Sequence, residues 1–300
     1  MSFKSGYIAI VGRANAGKST LLNCLIKQKV SIVSPKPQTT RENVLGIWTD
    51  EDSQMIFVDT PGALTPRNQL GNYMVKNIEQ ATVDADCILF VVDAHDGIKD
   101  ADFALLKKYG EKNIPLVVAV TKTDISQPEK LMAELAKLNE YPFVKEVYAL
   151  SARKNKGVEQ LKQHLKTYLT DDKMYFDADE VTDKSQRFIA CETIREKALL
   201  LLNEEVPHGI GVQLNKMSYD AQKNKWDIDA NIITEKASHK AIILGKQGQM
   251  IKNIGIYARE ALQKSLDGRV NLQLWVKIKE DWRNSEYMLN EIGYGKNNFD

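Results

Sequence analysis

Residues Gly12 to Ser19 read Gly-Arg-Ala-Asn-Ala-Gly-Lys-Ser, set between an apolar run, Tyr7 to Val11, and a helical run beginning near Thr20. No other feature restricts the fold as much. Backbone N–H groups in such a loop can wrap a polyphosphate only where a strand delivers it to a helix N-terminus. Gly12 and Gly17 stand where the backbone crowds the phosphates, with Asn15 and Ala16 between them. Lys18 reaches the outer phosphates, and the Ser19 hydroxyl suits Mg²⁺. A glycine-rich surface turn shares the letters but lacks this setting. The chain therefore opens with a βα unit that holds a nucleoside triphosphate.

From Tyr7 to about Thr170, short β-branched runs alternate with amphipathic stretches, the pattern of a mostly parallel sheet covered by helices. Strands are expected at Tyr7 to Val11, Val44 to Trp48, Met55 to Asp59, Cys87 to Asp93, Leu116 to Thr121 and Glu146 to Leu150. Helices are expected near Lys18 to Lys27, Leu70 to Val83, Ala101 to Lys112, Pro128 to Asn139 and Val158 to Leu169. Ligands of such sheets bind beyond the strand C-terminal ends. Two further motifs lie there.

The third strand ends in Asp59-Thr60-Pro61-Gly62, which begins forty-one residues after Lys18. A carboxylate at a strand tip can hold Mg²⁺ through water, and the Gly62 N–H can sense a γ-phosphate. The fifth strand ends in Thr121-Lys122-Thr123-Asp124. The Asp124 carboxylate can accept both the ring N–H and the exocyclic amine of guanine, a donor pair that adenine lacks. Ser151-Ala152-Arg153, after the sixth strand, supplies a backbone N–H for the guanine oxygen. Each word alone is an ordinary turn, but their order after a phosphate loop specifies GTP.

The formal net charge is +1, yet the charges are unevenly placed. Residues 171–183 hold six acidic residues and one Lys, whereas residues 236–283 hold ten Lys/Arg against four Asp/Glu. An acidic linker over 171–184 thus separates residues 1–170 from a basic module, 185–300, whose natural partner is nucleic acid. In that module Ser185 to Glu205 has helical spacing and Pro207 stops it, and Gly211 to Tyr219 with Trp226 to Ile233 reads as a hairpin. The tetrad Gly245-Lys246-Gln247-Gly248 then joins Lys240–Leu244 to a helix, Met250 to Leu266, followed by a strand, Val270 to Ile278. Its glycines let a sugar-phosphate backbone approach closely, and Lys240, Lys246, Lys252 and Arg259 can meet phosphates. Trp226 and Trp275 are expected in the core; Trp282 suits either an RNA contact or a lid on the core.

The ordered motifs resemble the translation-factor-like GTPases. Gly-Arg-x-Asn-x-Gly-Lys-Ser-Thr-Leu-Leu-Asn with Pro37-Gln38-Thr39-Thr40-Arg41 is similar to the Era family in particular, over nearly the whole chain. The resemblance implies an α/β P-loop GTPase domain with a mostly parallel six-stranded sheet, followed by an α+β type II KH domain. It places Thr40 in the Mg²⁺ shell beside Ser19 and Asp59, and a monovalent cation, K⁺, at Asn15. Lys18, Thr40, Asp59 and Gly62 would carry hydrolysis of GTP to GDP. The implied partners are the single-stranded 3′ end of 16S rRNA and the small ribosomal subunit, whose 30S assembly the protein would serve. A monomer is implied, with peripheral contact at the inner face of the cell membrane.

Two departures from the family stand out. Thr121 replaces the usual Asn with one short hydroxyl, which lowers the expected base affinity while Asp124 keeps the specificity. Ala14 and Ala16 replace the usual Pro and Val, which leaves the glycine framework intact. In addition, Ala63 occupies the place where Ras-like enzymes keep a water-orienting glutamine, so the free protein is expected to hydrolyse GTP slowly.

There is no apolar run near 18 residues and no signal peptide before the first strand, which points to the cytoplasm. Cys24, Cys87 and Cys191 are far apart in apolar stretches, as reduced structural thiols are. Two rival readings remain at this level. One is a non-enzymatic RNA-binding protein whose nucleotide site only holds the fold or reports the GTP level. The other is a signalling GTPase that turns its basic face to anionic lipid.

Overall fold

Alternation along β1 (Lys4–Val11) sets the architecture of the first half. Ile8 and Ile10 enter one apolar cluster with Leu21, Leu22 and Leu25 of α1 (Lys18–Leu25) and Leu161 and Leu165 of α5 (Val158–Leu165). Ala9 and Val11 enter a second with Ile78 of α2 (Gln69–Ala81), Leu106 of α3 (Asp100–Gly110) and Leu138 of α4 (Pro128–Asn139). A strand buried on both faces needs helices on both, which is the environment of parallel sheets. β3 (Ser53–Asp59), β4 (Cys87–Asp93) and β5 (Leu116–Thr121) are buried along their whole length for the same reason.

The computed structural model describes residues 3–295. Its six-stranded sheet has the order β2-β3-β1-β4-β5-β6, with β6 (Val144–Ala149) at one edge and β2 (Val44–Thr49) at the other. Only β2 runs antiparallel to its neighbour.

The described chain forms two compact units. The first runs to Val33 and includes Thr40–Thr65 and Met74–Asp183. The second comprises Ser34–Thr39, Pro66–Tyr73 and the chain from Lys184 onward. The acidic stretch expected as a linker is tied to the first unit. Ser5 and Asp171 exchange backbone bonds, the Gln54 side chain engages Tyr175 and Phe176, and Ile47 N–H donates to the Val181 carbonyl at 2.9 Å. The last of these covers the open edge of β2, where unpaired N–H groups would otherwise invite another strand. Residues 1–2 and 296–300, the ends of the two expected domains, lie outside the described residues.

The second unit begins with α6 (Gln186–Leu201), where the Ser185 hydroxyl accepts from Phe188 N–H at 3.3 Å as an N-cap. This helix ends earlier than the sequence spacing suggests, and Pro207 instead sits in a short 3₁₀ turn, Val206–Gly209. β7 (Gly211–Asp220) and β8 (Lys225–Thr234) form the expected antiparallel hairpin, and β9 (Arg269–Ile278) adds in parallel to β8. Between them lie α7 (Ala237–Leu244) and α8 (Gln249–Ser265), and α9 (Glu286–Glu291) follows β9. Buried Ile194, Ala198, Ile228, Ala230, Ile254, Ala258, Leu262 and Val276 supply the core.

Trp282 is fully buried and its Nε1 donates to the Gly209 carbonyl at 3.0 Å, which makes it a lid on this core. Trp275 corrects the expectation of a core residue, since it is 56 % exposed. β9 has one covered face, and Val270 and Val276 occupy it, so the odd-parity Trp275 faces outward. Trp226 is half-buried, packs its ring at a tilt against Tyr219 and donates to the Leu266 carbonyl.

Candidate guanine-nucleotide site and RNA-binding face

Strand β1 delivers the phosphate loop to the start of α1, and most of the loop's carbonyls are bound from behind. Those of Gly12 and Arg13 accept from Lys18 Nζ at 3.1 and 2.8 Å. That of Asn15 accepts from Lys122 Nζ at 2.9 Å. Thr121 Oγ1 lies 2.7 Å from the Ala16 carbonyl and 3.0 Å from that of Val92, and donates its one proton to either. With its carbonyls so engaged, the loop presents N–H groups, which an anion needs. Thr121 therefore braces the loop, and its hydroxyl is not available to the base. Lys122 is braced in turn by Asp93, 2.5 Å away. Asn15 and Lys122 both have positive φ, 63° and 59°, as a loop held in an uncommon conformation by its surroundings would.

The three expected metal ligands come together. Ser19 Oγ is 2.9 Å from Thr40 Oγ1 and donates to Asp59 Oδ2 at 2.7 Å, while Thr40 Oγ1 lies 3.4 Å from the same oxygen. Ser31 adds a third hydroxyl at 2.8 Å. Asp59 Oδ1 is buried without a hydrogen-bond partner. Two hydroxyls and a carboxylate with one spare oxygen are the hard, oxygen-only set that Mg²⁺ prefers, with phosphates and water filling the remaining positions. Burial pushes the Asp59 carboxyl up, opposed first by the Lys18 charge and then by its hydroxyl donors. Burial likewise pulls the Lys18 ammonium down to about 8, with Asp59 opposing. Each of these groups therefore depends on the other for its charge.

Gly62 is placed by a close approach. A Cβ there would lie 2.5 Å from Ala14 Cα and 2.6 Å from its nitrogen. The next residue, Ala63, donates its N–H to the Gly12 carbonyl at 3.0 Å. At the base end, Asp124 is exposed and a hydrogen bond from the Ser151 side chain, reinforced by the charges of Lys154 and Arg153, holds its carboxyl below the usual range. The tips of β5 and β6 thus converge as the motif order requires. The Ser151 N–H donates to the Lys156 carbonyl at 2.9 Å, so of the three backbone N–H groups expected at the base it is already engaged. Sequence reasoning missed Ser31 and Asp93. Neither belongs to a motif, although Asp93 at the end of an apolar strand carried a positional signal.

In the second unit, the tetrad Gly245–Gly248 turns between α7 and α8. Gln247 has φ 53° and Gly248 φ 76°, and a Cβ on Gly248 would meet nothing within 4 Å. That backbone is open to close approach. Lys246, Lys252 and Arg259 are exposed and Lys240 is half-buried. Among the described residues, none of the four forms an ion pair, so their charge is available to phosphate. Ile242, also exposed, gives this face an apolar member.

Comparison with known proteins agrees with both halves. Residues 7–122 match the model of the 50S ribosome-binding GTPase family, and residues 205–283 match the KH domain. GTPase Era of Clostridium novyi (strain NT) is 44 % identical over 292 residues, 97 % of this chain and 99 % of the relative. GTPase Era of Clostridium kluyveri is 45 % identical over 291 residues, with 97 % and 99 % covered. Among solved structures, Era in complex with MgGDPNP and nucleotides 1506–1542 of 16S ribosomal RNA superposes with a TM-score of 0.93 at 38 % identity, covering 98 % of this chain and 99 % of that one. A tyrosine-to-alanine variant of Aquifex aeolicus Era bound to GDP and AlF₄⁻ gives 0.93 at 38 % identity, with 98 % and 100 % covered.

Proposed function

The chain belongs to the Era family of GTPases and carries a KH domain, and from this we propose that it binds the 3′ end of 16S rRNA and couples that binding to its GTP state during assembly of the 30S subunit. The observation that carries the coupling is where the switch segment divides. Thr39 belongs to the second unit, and its carbonyl accepts from the buried Arg195 of α6. Thr40 belongs to the first and bonds Ser19 beside Asp59. A γ-phosphate and metal that recruit Thr40 therefore act, one peptide bond away, on a segment fastened within the RNA-binding unit.

In this reading Lys18, Thr40, Asp59 and Gly62 carry the chemistry. Ser19, Thr40 and Asp59 hold Mg²⁺, which neutralises charge on the transferred phosphoryl group. Gly12, Asn15, Ala16, Gly17, Lys18, Ser19 and Thr20 hold the phosphates, Thr121 and Lys122 brace that loop from the nucleotide site's other strand tip, and Asp124, Ser151, Ala152 and Arg153 form the base end. Ala63 cannot orient the attacking water, so turnover by the free protein is slow and gains from K⁺ at Asn15. Single-turnover hydrolysis is expected to rise several-fold when K⁺ replaces Na⁺; fast turnover indifferent to the cation would refute this.

The RNA-binding residues are Lys240, Gly245, Lys246, Gln247, Gly248, Lys252 and Arg259. Asp tolerates the positive φ of Gly248 and has space there, so Gly248→Asp should fold while its carboxylate repels the RNA backbone. Affinity for an oligoribonucleotide with the 16S 3′ end is expected to drop tenfold or more (roughly) in gel shifts, with GTP affinity unchanged by calorimetry. Loss of both would refute separable modules. A monomer in the cytoplasm, with peripheral contact at the inner membrane face, completes the proposal; no described helix is long and apolar enough to cross a membrane.

A further inference from the structure

The phosphate loop is fastened in two halves by different means. Its rear, Asn15 and Ala16, is held through its carbonyls by Lys122 and Thr121. Its front, residues 12–14, lies against residues 61–63. Ala63 bonds Gly12, Arg13 pairs with Ala63 as an isolated parallel bridge, and Gly62 abuts Ala14 with no space for a side chain. These two triplets read Gly-Arg-Ala and Pro-Gly-Ala, so Arg13 is their single polar side chain. Arg13 Nε donates to Asp102 Oδ1 at 2.6 Å. Asp102 is 1 % exposed, and its other oxygen accepts from Lys99 N–H at 2.9 Å at the start of α3.

We infer that Arg13 and Asp102 form a positioning pair that anchors the γ-phosphate-sensing piece of the site, residues 12–14 with Gly62 and Ala63, to α3. Lys18 Nζ now bonds the carbonyls of Gly12 and Arg13. When it turns to a phosphate, Arg13 loses that restraint and the Asp102 bond holds it in place. On this inference GDP, which has no γ-phosphate, relies chiefly on the rear of the loop, which Lys122 and Thr121 brace without Arg13's side chain. GTP needs the front as well. The pair therefore sets the difference between the two nucleotides, and the inference rests on the GTPase reading.

The test uses the full chain and compares Arg13→Gln, Asp102→Asn and the double variant. Arg13→Gln strands a buried carboxylate and can fail to fold. Asp102→Asn keeps an oxygen for the Lys99 cap, and the double variant leaves no buried charge unpaired. Calorimetry with GDP and with a non-hydrolysable GTP analogue, and single-turnover hydrolysis, are measured on each folded variant. The expected result is GDP affinity within about threefold of the parent, with analogue affinity and rate both reduced roughly tenfold or more. The double variant should be no worse than the poorer single, as for two groups acting as one. Equal losses for GDP and analogue, no loss for either, or additive losses in the double variant would overturn the inference. Failure of the parent chain to hydrolyse GTP would instead overturn the GTPase reading, a result the same assay separates.

Discussion

Asp124→Asn is expected to weaken GDP and GTP binding by on the order of a thousandfold or more and to transfer the preference to xanthine nucleotides. Guanine presents two adjacent donors, the ring N1–H and the exocyclic amine, and a carboxylate meets both with acceptors. An asparagine amide offers one acceptor and one donor, so one base N–H faces an N–H and both lose their partners on desolvation. Xanthine carries a carbonyl in place of that amine and restores the match. The Asp124 carboxyl suits this task, because an exposed carboxylate is charged at neutral pH and the Ser151 hydrogen bond, which holds its pKa below the usual range, favours that charged form further. Since Asp124 is exposed and not part of any core, the substitution should leave the thermal midpoint nearly unchanged. Calorimetry with GDP, xanthosine diphosphate and ADP checks the exchange. Guanine affinity within tenfold of the parent would place base recognition elsewhere.

The same residue shows why so much of the nucleotide site was legible in the sequence. Each motif is tied to the tip of one apolar strand, and parallel strands flanked by helices bring their C-terminal tips together, so order along the chain became proximity in space. Lys18, Asp59 and Asp124 follow that logic. Less legible were contacts that depend on how a covered segment turns. Charge alone marks the acidic stretch as a linker between two modules, whereas Asp171 and Val181 use their backbones to pair with Ser5 and Ile47, and backbone pairing leaves no trace in side-chain composition. Trp275 was misplaced because aromatic residues are usually buried, whereas parity along β9 outweighs that tendency. The Arg13–Asp102 pair spans 89 positions. Nothing local to either residue announces it.

Lys18→Met is expected to reduce single-turnover GTP hydrolysis by roughly a thousandfold or more, and the loss has two sources. The first is the missing charge on the outer phosphates. The second is Asp59, whose carboxyl is already pushed up by burial, with the Lys18 charge as the largest influence opposing that rise. Without the lysine its pKa rises further, and a protonated Asp59 is a poor partner for Mg²⁺. The pH dependence separates these effects. In the parent chain, empty Lys18 titrates at about 8, and bound phosphate favours its charged form. Lys18 therefore adds no pH dependence to nucleotide affinity well below pH 8, where it is already charged, and makes the affinity fall as pH rises beyond it, where binding must take up a proton. Lys18→Met removes that fall. Asp59 acts on stability in the opposite direction to an ordinary surface carboxylate. Its folded pKa lies above its unfolded one, so the folded state holds the extra proton, and the associated stability is full below the unfolded value and lost as pH rises through the folded value. In Lys18→Met this decline moves to higher pH. Thermal midpoints of the nucleotide-free protein should then fall with rising pH across a range where those of the parent change less. Adding Asp59→Asn should abolish the extra slope. A persisting slope in the double variant would assign it to another buried group and break the mutual dependence of Lys18 and Asp59.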